Sequence, residues 1–448
     1  MFLKRICLIL MLGAAVPSAA ADDLSWLDVY LAQPILQPHQ TLVETQIHLA
    51  SRVKPIPAIA STAQWEQYAQ QLRTHILDNV VFRGEAAKWR DMPTQVTWLD
   101  TLAGDGYRVK KFRYEVIPGM WLPGLLYEPA QLSGRVPVVL NLNGHEGEGK
   151  ANSYIQERCI NLAKKGLLAY NYEWFGMGEL AAAGYSHARL NQIDLTGTSG
   201  LAPFFLAQKR LVDIALQHPN ADAERLAVTG LSGGGWQTIL LSSLDQRVKL
   251  AMPVAGYSSF VTRTQFPEMD LGDSEQTPVD LGQYADYTHL TAMLAPRPLQ
   301  IAHNARDNCC FRADYALAPL LVAARPIFAL YGDAGTWWDK AEGRYAKRPT
   351  PEVGAVIVLT GYAGPGRGHV GVVSAVVSQR EIRLDHANWL GDGDIYIADP
   401  VADVSPENDW SEVRVWNPRT TAWGQKTYVV EGFIGPDRAG DSDRVAAE

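Results

Sequence analysis

The period of apolar and polar positions changes along this chain, and each change marks a part. Trp65, Tyr68, Leu72, Ile76 and Val80 recur at helical spacing behind the capping-box sequence Ser61-Thr62-Ala63-Gln64, predicting a helix with one packing face. From Gln95 the period shortens to two. Runs over 95–100, 107–116 and 120–127, parted by Gly104-Asp105-Gly106 and Pro118-Gly119, predict three antiparallel strands. Buried-strand runs follow at 136–142, 167–172, 226–229, 248–254, 298–303 and 326–331, with helical stretches between most of them. Such alternation predicts an α/β fold: a mostly parallel sheet covered on both faces, with its working groups at the carboxyl ends of the strands.

Composition narrows the partners. A chain of 448 residues, 47% hydrophobic and 20% charged, has room for two domains and a large core. Its 40 Lys and Arg stand against 48 Asp and Glu, a net charge of -8 with no basic run, so nucleic acid is not an expected partner. Met1 to Ala21 carries Lys4-Arg5, an apolar core from Ile6 to Val16 and small residues from Ser18 to Ala21, which predicts a secretory signal cleaved after Ala21. The mature chain is then expected to be secreted or periplasmic, without membrane association, because no other segment reaches spanning length. Cys7 lies in that leader. Cys159, Cys309 and Cys310 remain, an odd number with no spaced Cys/His quartet, so neither a disulfide framework nor a zinc site is expected.

Chemistry concentrates around Leu226 to Trp236, where a short apolar run leads into Gly230-x-Ser232-x-Gly234 and then a helical stretch. Strand, sharp turn and helix are the context of a nucleophile elbow, with Ser232 as nucleophile; a structural Gly-rich turn is the alternative. Asn143 to Gly149, with His145 and Glu146, follows the first central strand, from which a loop can donate one backbone N–H to an oxyanion, the other coming from Gly233. His145 reads as a loop or substrate contact, since the hydrolase order is Ser, acid, His. Asp307, just after a predicted strand, reads as the acid or as a helix cap. Trp174, Phe175 and Trp236 read as sugar-stacking or core aromatics, and Arg189 and Arg297 as substrate or structural pairs.

On Asn143 to Gly149, Glu173-Trp174-Phe175-Gly176-Met177-Gly178, Gly197-Thr198-Ser199-Gly200, Gly230 to Thr238, Leu294 to Pro298 and Asp307 to Phe311, residues 95–332 resemble the acetyl xylan esterase and dienelactone-hydrolase-like group of α/β-hydrolases. The resemblance implies a Ser232 acyl-enzyme, Asp307 as the acid, an ester or polysaccharide-linked ester as substrate, and no metal or organic cofactor. In that group the catalytic histidine follows the last strand, and here the resemblance stops at Gly332, before it.

From Gly332 to Ile434 the chain is similar to the CHAP domain of cell-wall amidases and peptidases, a half-barrel of short strands bearing a Cys nucleophile on an earlier helix and a His on a strand. Gly368-His369-Val370 matches the His motif, and His386 or Asn388 would orient that His. No cysteine follows Gly332. The expected divisions are a signal (1–21), a lead-in (22–94), a truncated hydrolase domain (95–332), a small mainly-β CHAP-like domain (333–434) and a polar tail (435–448). The order Ser232, Asp307, His369 offers a composite triad. Alternatively Cys309 or Cys310 pairs with His369, with cell-wall peptidoglycan as partner, or the chain is a catalytically silent chimera. A hydrolase without its final helix also leaves core surface for something else to cover.

Overall fold

The computed structural model describes residues 25–438 apart from 183, 185, 186, 267–273, 279, 308, 365, 366, 392 and 393. The expected signal, residues 1–21, lies outside the described residues. The chain divides into two compact units, residues 1–48 and 49–448. The first carries the helix Ser25–Leu31, on which Trp26, Tyr30 and Leu31 are exposed.

In the second unit the helix Thr62–Ile76 starts where its cap predicts, with Ser61 Oγ accepting the Gln64 N–H at 3.2 Å and Gln64 Oε1 accepting the Ala60 N–H at 2.9 Å. Trp65, Leu72, Ile76 and Val80 are buried along the predicted stripe. Strands β1 (Gln95–Ala103), β2 (Tyr107–Ile117), β3 (Met120–Pro129), β4 (Val136–Leu142), β5 (Leu168–Tyr172), β6 (Ala221–Leu231) and β7 (Leu250–Val254) form one sheet in the order β1-β2-β3-β5-β4-β6-β7. The pairs β1–β2, β2–β3 and β3–β5 are antiparallel, while β5–β4, β4–β6 and β6–β7 are parallel. All of β5 is buried, as a central strand covered on both faces should be.

Beyond β7 the sheet fades. Residues 298–303, expected as a full strand, meet β7 only through the parallel bridges Ala251–Leu299 and Val254–Ala302. Residues 326–331, also expected as a strand, fall at the end of the helix Ala313–Ala329, apart from Leu330 and Tyr331. A short apolar run does not distinguish a strand from a buried helix, and five alanines between Ala316 and Ala329 favour the helix. Tyr315, Ala316, Leu320, Ala324 and Ile327 turn inward, while Val322 is exposed. Contrary to the sequence expectation, Ala313–Lys340 contains a window of mean hydropathy 1.4, apolar enough by length and composition to cross a membrane. A core helix of a soluble protein has the same property.

The C-terminal part is a second, mainly-β body: β8 (Tyr345–Arg348), β9 (Val356–Leu359), β10 (His369–Ser378), β11 (Glu381–Ala387), β12 (Ile395–Asp403), β13 (Glu412–Asn417), β14 (Ala422–Trp423) and β15 (Tyr428–Arg438). The antiparallel ring β9-β10-β11-β12-β13-β15 closes where β15 returns to β9, so the expected half-barrel is a closed one. Ile357, Leu359, Val373, Leu384, Val401 and Phe433 fill its interior.

Candidate active site

β6 ends at Leu231 and the helix Gly233–Leu244 begins two residues later, so Ser232 takes the whole turn at φ 57°, ψ -119°. A non-glycine residue held there stores on the order of 1–3 kcal/mol of strain, which its surroundings must fix. Ser232 donates its N–H to Val254 O at 2.9 Å, and its carbonyl accepts the N–H groups of Gly235 and Trp236 at 2.8 and 3.1 Å. The turn is this tight because no side chain intervenes. A Cβ on Gly230 would lie 2.6 Å from the Gly234 carbonyl carbon, and one on Gly234 would lie 2.3 Å from Leu142 O. Ser232 itself is half-buried, at the positive end of the following helix.

The loop after β4 lies against this elbow. A Cβ on Gly144 would sit 3.3 Å from Gly233 N and 3.5 Å from Ser232 Cβ. Buried Asn143 anchors the loop, donating from Nδ2 to Tyr172 O at 2.7 Å, while Gln237 Nε2 donates to Asn143 O at 2.6 Å. Glu146 serves the loop itself: its carboxylate accepts from Asn152 Nδ2 and Tyr154 Oη at 3.2 and 3.1 Å, and its N–H bonds to Gly144 O at 2.9 Å. The Glu173 to Gly178 motif is the brace beneath. Buried Glu173 accepts the Lys150 N–H and Nζ at 2.7 Å each, with Gly149 and Gly178 pressed on its carboxylate.

Trp174, Phe175 and Trp236 are fully buried, which makes them core rather than a sugar platform. Trp236 Nε1 donates to Tyr287 Oη at 2.7 Å. Trp174 packs its ring edge on Gly233 and lies against two imidazoles, His145 at 4.6 Å and His187 at 5.5 Å, the latter stacked at 16°. His145 Nε2 and His187 Nε2 are 3.2 Å apart, and Glu275 joins them with its ligand atom within 4.8 Å of both. His187 and Glu275 carry no local motif, so only the fold reveals them.

Asp307 Oδ1 accepts the N–H groups of Cys309 and Cys310 at 2.9 and 3.1 Å, which is turn capping. It also faces His303. Burial pushes the His303 pKa down, opposed by the Tyr257 carbonyl that faces its Nε2 and by the Asp307 charge. Cys309 and Cys310 are joined as a disulfide, and Cys159 is a free buried thiol whose pKa burial pushes up to about 12. Arg297 is structural, donating to the Val248 carbonyl at 2.8 Å and to those of Asp245 and Met293 at 3.3 Å; Arg189 is exposed.

His369 belongs to the barrel. Its Nε2 meets His386 Nδ1 at 2.9 Å, His386 Nε2 meets Asp399 Oδ2 at 3.2 Å, and its ring packs on Tyr362 and Trp389. The Asn388 carbonyl accepts the Tyr362 hydroxyl at 3.2 Å, and of His386 and Asn388 it is the His386 ring that meets His369. Among the described residues, Ser232, Asp307 and His369 share no hydrogen bond, and neither Cys309 nor Cys310 bonds His369.

Burial, with His386 next, pushes the His369 pKa down to about 3, and burial takes His289 to about 4. Unfolded histidine titrates near ~6.5, so between that pH and the folded values the unfolded chain binds more protons. Stability is therefore expected to fall as pH drops from about 6.5. Thermal melts at several pH values should show the fall, and His369→Gln should flatten it; an unchanged slope in the variant would contradict this.

Comparison with known proteins matches two regions, the second beginning at residue 303, ahead of the expected boundary at 333 and so taking in Asp307. The profile of acetyl xylan esterase (AXE1) matches residues 104–289, and that of the CHAP domain matches residues 303–388, a stretch that takes in Cys309 and Cys310. The uncharacterized peptidase YuxL of Bacillus subtilis (strain 168) is 24% identical over 155 residues, 34% of this chain and 22% of that protein. Among solved structures, the Bacteroides fragilis protein BF1801, assigned as an acetyl xylan esterase, is similar with a TM-score of 0.52 at 16% identity, over 67% of this chain and 82% of that one. Methylesterase BT1017 is similar with a TM-score of 0.47 at 22% identity, over 66% of this chain and 61% of that one. The chain thus spans less than two thirds of YuxL and of the methylesterase. Residues 104–289 of this chain are thus similar to the acetyl xylan esterase family, and residues 303–388 to the CHAP domain.

Proposed function

We propose that the chain is an exported serine carboxylic-ester hydrolase acting on acetyl or related esters of plant polysaccharide. The observation that carries this is Ser232 alone on the strand-to-helix turn, at φ 57°, with the Gly144 loop against it. Ser232 Oγ attacks the ester carbonyl and gives up its proton. The oxyanion forms beside the Gly233 N–H and the loop after Gly144, and its collapse expels the alcohol and leaves the acyl group on Oγ for water to remove.

The proton acceptor in this proposal is His145, paired with His187 and backed by Glu275. Its ring lies on Trp174, which itself touches Gly233, and it follows directly on Gly144. His369 instead has its Nε2 on His386. With p-nitrophenyl acetate, His145→Ala should lose about 10²–10⁴-fold in kcat/KM. His369→Ala should stay within about twofold of wild type, because a group outside the proton path does not enter the rate. A loss in His369→Ala as large as in His145→Ala would instead support a composite triad across the two segments.

Cell-wall amide hydrolysis draws support from the His369–His386–Asp399 relay, which has the form of an oriented base. Cys309 and Cys310 lie within the CHAP match, but their N–H groups bond Asp307 and, among the described residues, neither meets His369. Lysis of peptidoglycan without ester hydrolysis would favour that second function.

A further inference from the structure

We propose that His145, His187 and Glu275 form a binding site for one divalent transition-metal ion, Zn²⁺ among the biological cations. Two imidazole Nε2 atoms face each other at 3.2 Å. Two nitrogens bound to one tetrahedral zinc at ~2.0–2.1 Å stand about 3.3 Å apart, so the spacing is that of a shared cation as much as of a hydrogen bond. The Glu275 carboxylate has an oxygen within 4.8 Å of a ring nitrogen on each histidine, a span that closes as a cation draws the three atoms together. Two histidines and one glutamate form a donor set that holds zinc while leaving a fourth position for water or a substrate oxygen.

The rings are also held for the task. Trp174, fully buried, stacks on His187 at 16° and tilts against His145, fixing both ring planes from behind. Glu146, through Asn152 and Tyr154, ties down the loop that carries His145. Because the cation would occupy the lone pair that the proposed proton acceptor needs, Zn²⁺ would inhibit ester hydrolysis reversibly. The binding itself does not depend on that esterase function.

The test is calorimetric titration of ZnCl₂ into the full-length protein after chelator treatment. One equivalent should bind the wild type, Ser232→Ala should bind it equally, and His145→Ala and Glu275→Gln should each bind about tenfold or more weakly. Ser232→Ala separates the cation site from the esterase function, since the site persists there whether or not the protein turns over esters. Absence of saturable binding to wild type, or equal affinity in both ligand variants, would overturn the site. Should those variants fail to fold, Co²⁺ added to wild type decides. Intense visible bands of a four- or five-coordinate ion uphold the site, and weak octahedral bands overturn it.

Discussion

Ser232→Ala should lower short-ester hydrolysis about a thousandfold or more in kcat/KM while leaving the thermal unfolding temperature in place. The loss is large because the bond to the acyl group forms at this oxygen alone. The stability is unchanged for a separate reason. The Ser232 backbone, held by Val254 O and by the helix that follows, fixes the turn, and the side chain makes no capping hydrogen bond there. Alanine occupies the same positive φ at a cost close to that of serine. Steady-state assays with p-nitrophenyl acetate, paired with calorimetric melts, check both halves. Activity retained within tenfold would mean that another group is the nucleophile.

Trp174→Ala should cost about 3–5 kcal/mol, the usual range for emptying a fully buried large aromatic site. At the size of this hydrolase segment that lowers Tm by roughly 10 °C. The ring touches Gly233, His145, His187, Phe204 and Trp236, so the cavity opens between the elbow and both imidazoles, and ester hydrolysis should fall with the stability. Trp174→Phe should recover much of both, because among the described residues the indole Nε1 has no hydrogen-bond partner that its removal would leave unpaired. An alanine variant that keeps its Tm and loses only affinity for polysaccharide esters would instead make Trp174 a sugar platform.

Where burial fixes the period, the sequence was legible. The runs at 107–116, 120–127 and 136–142 lie within β2 to β4, because alternation or a continuous apolar run there has one compatible arrangement on a covered sheet, while the run at 95–100 lies in the largely exposed edge strand β1. The elbow was legible for a related reason: Gly230 and Gly234 are required by backbone approaches of 2.6 and 2.3 Å, and such sites leave a fixed spelling. Residues 326–331 misled because a short apolar run suits a helix as well as a strand, and tertiary packing against Tyr287–Ala292 and its neighbours chose the helix. Of the His145 cluster, the sequence pointed to His145 alone. His145, His187 and Glu275 come from three loops or short helices far apart in the chain, and only the stacking of two rings on Trp174 brings them together. His369 was the opposite case. Its motif was conspicuous, but it served the barrel in which it sits, with His386 and Asp399 as its neighbours.

The most direct measurement is labelling of the purified protein with a fluorophosphonate, followed by mass-spectrometric location of the adduct, since the probe reports an activated serine without requiring the natural substrate. The predicted result is a single adduct on Ser232 that persists in His369→Ala and disappears in His145→Ala. Wild-type protein that stays unlabelled while a known serine esterase reacts beside it would contradict the proposal, and would leave a chain with the architecture of an esterase and no esterase chemistry.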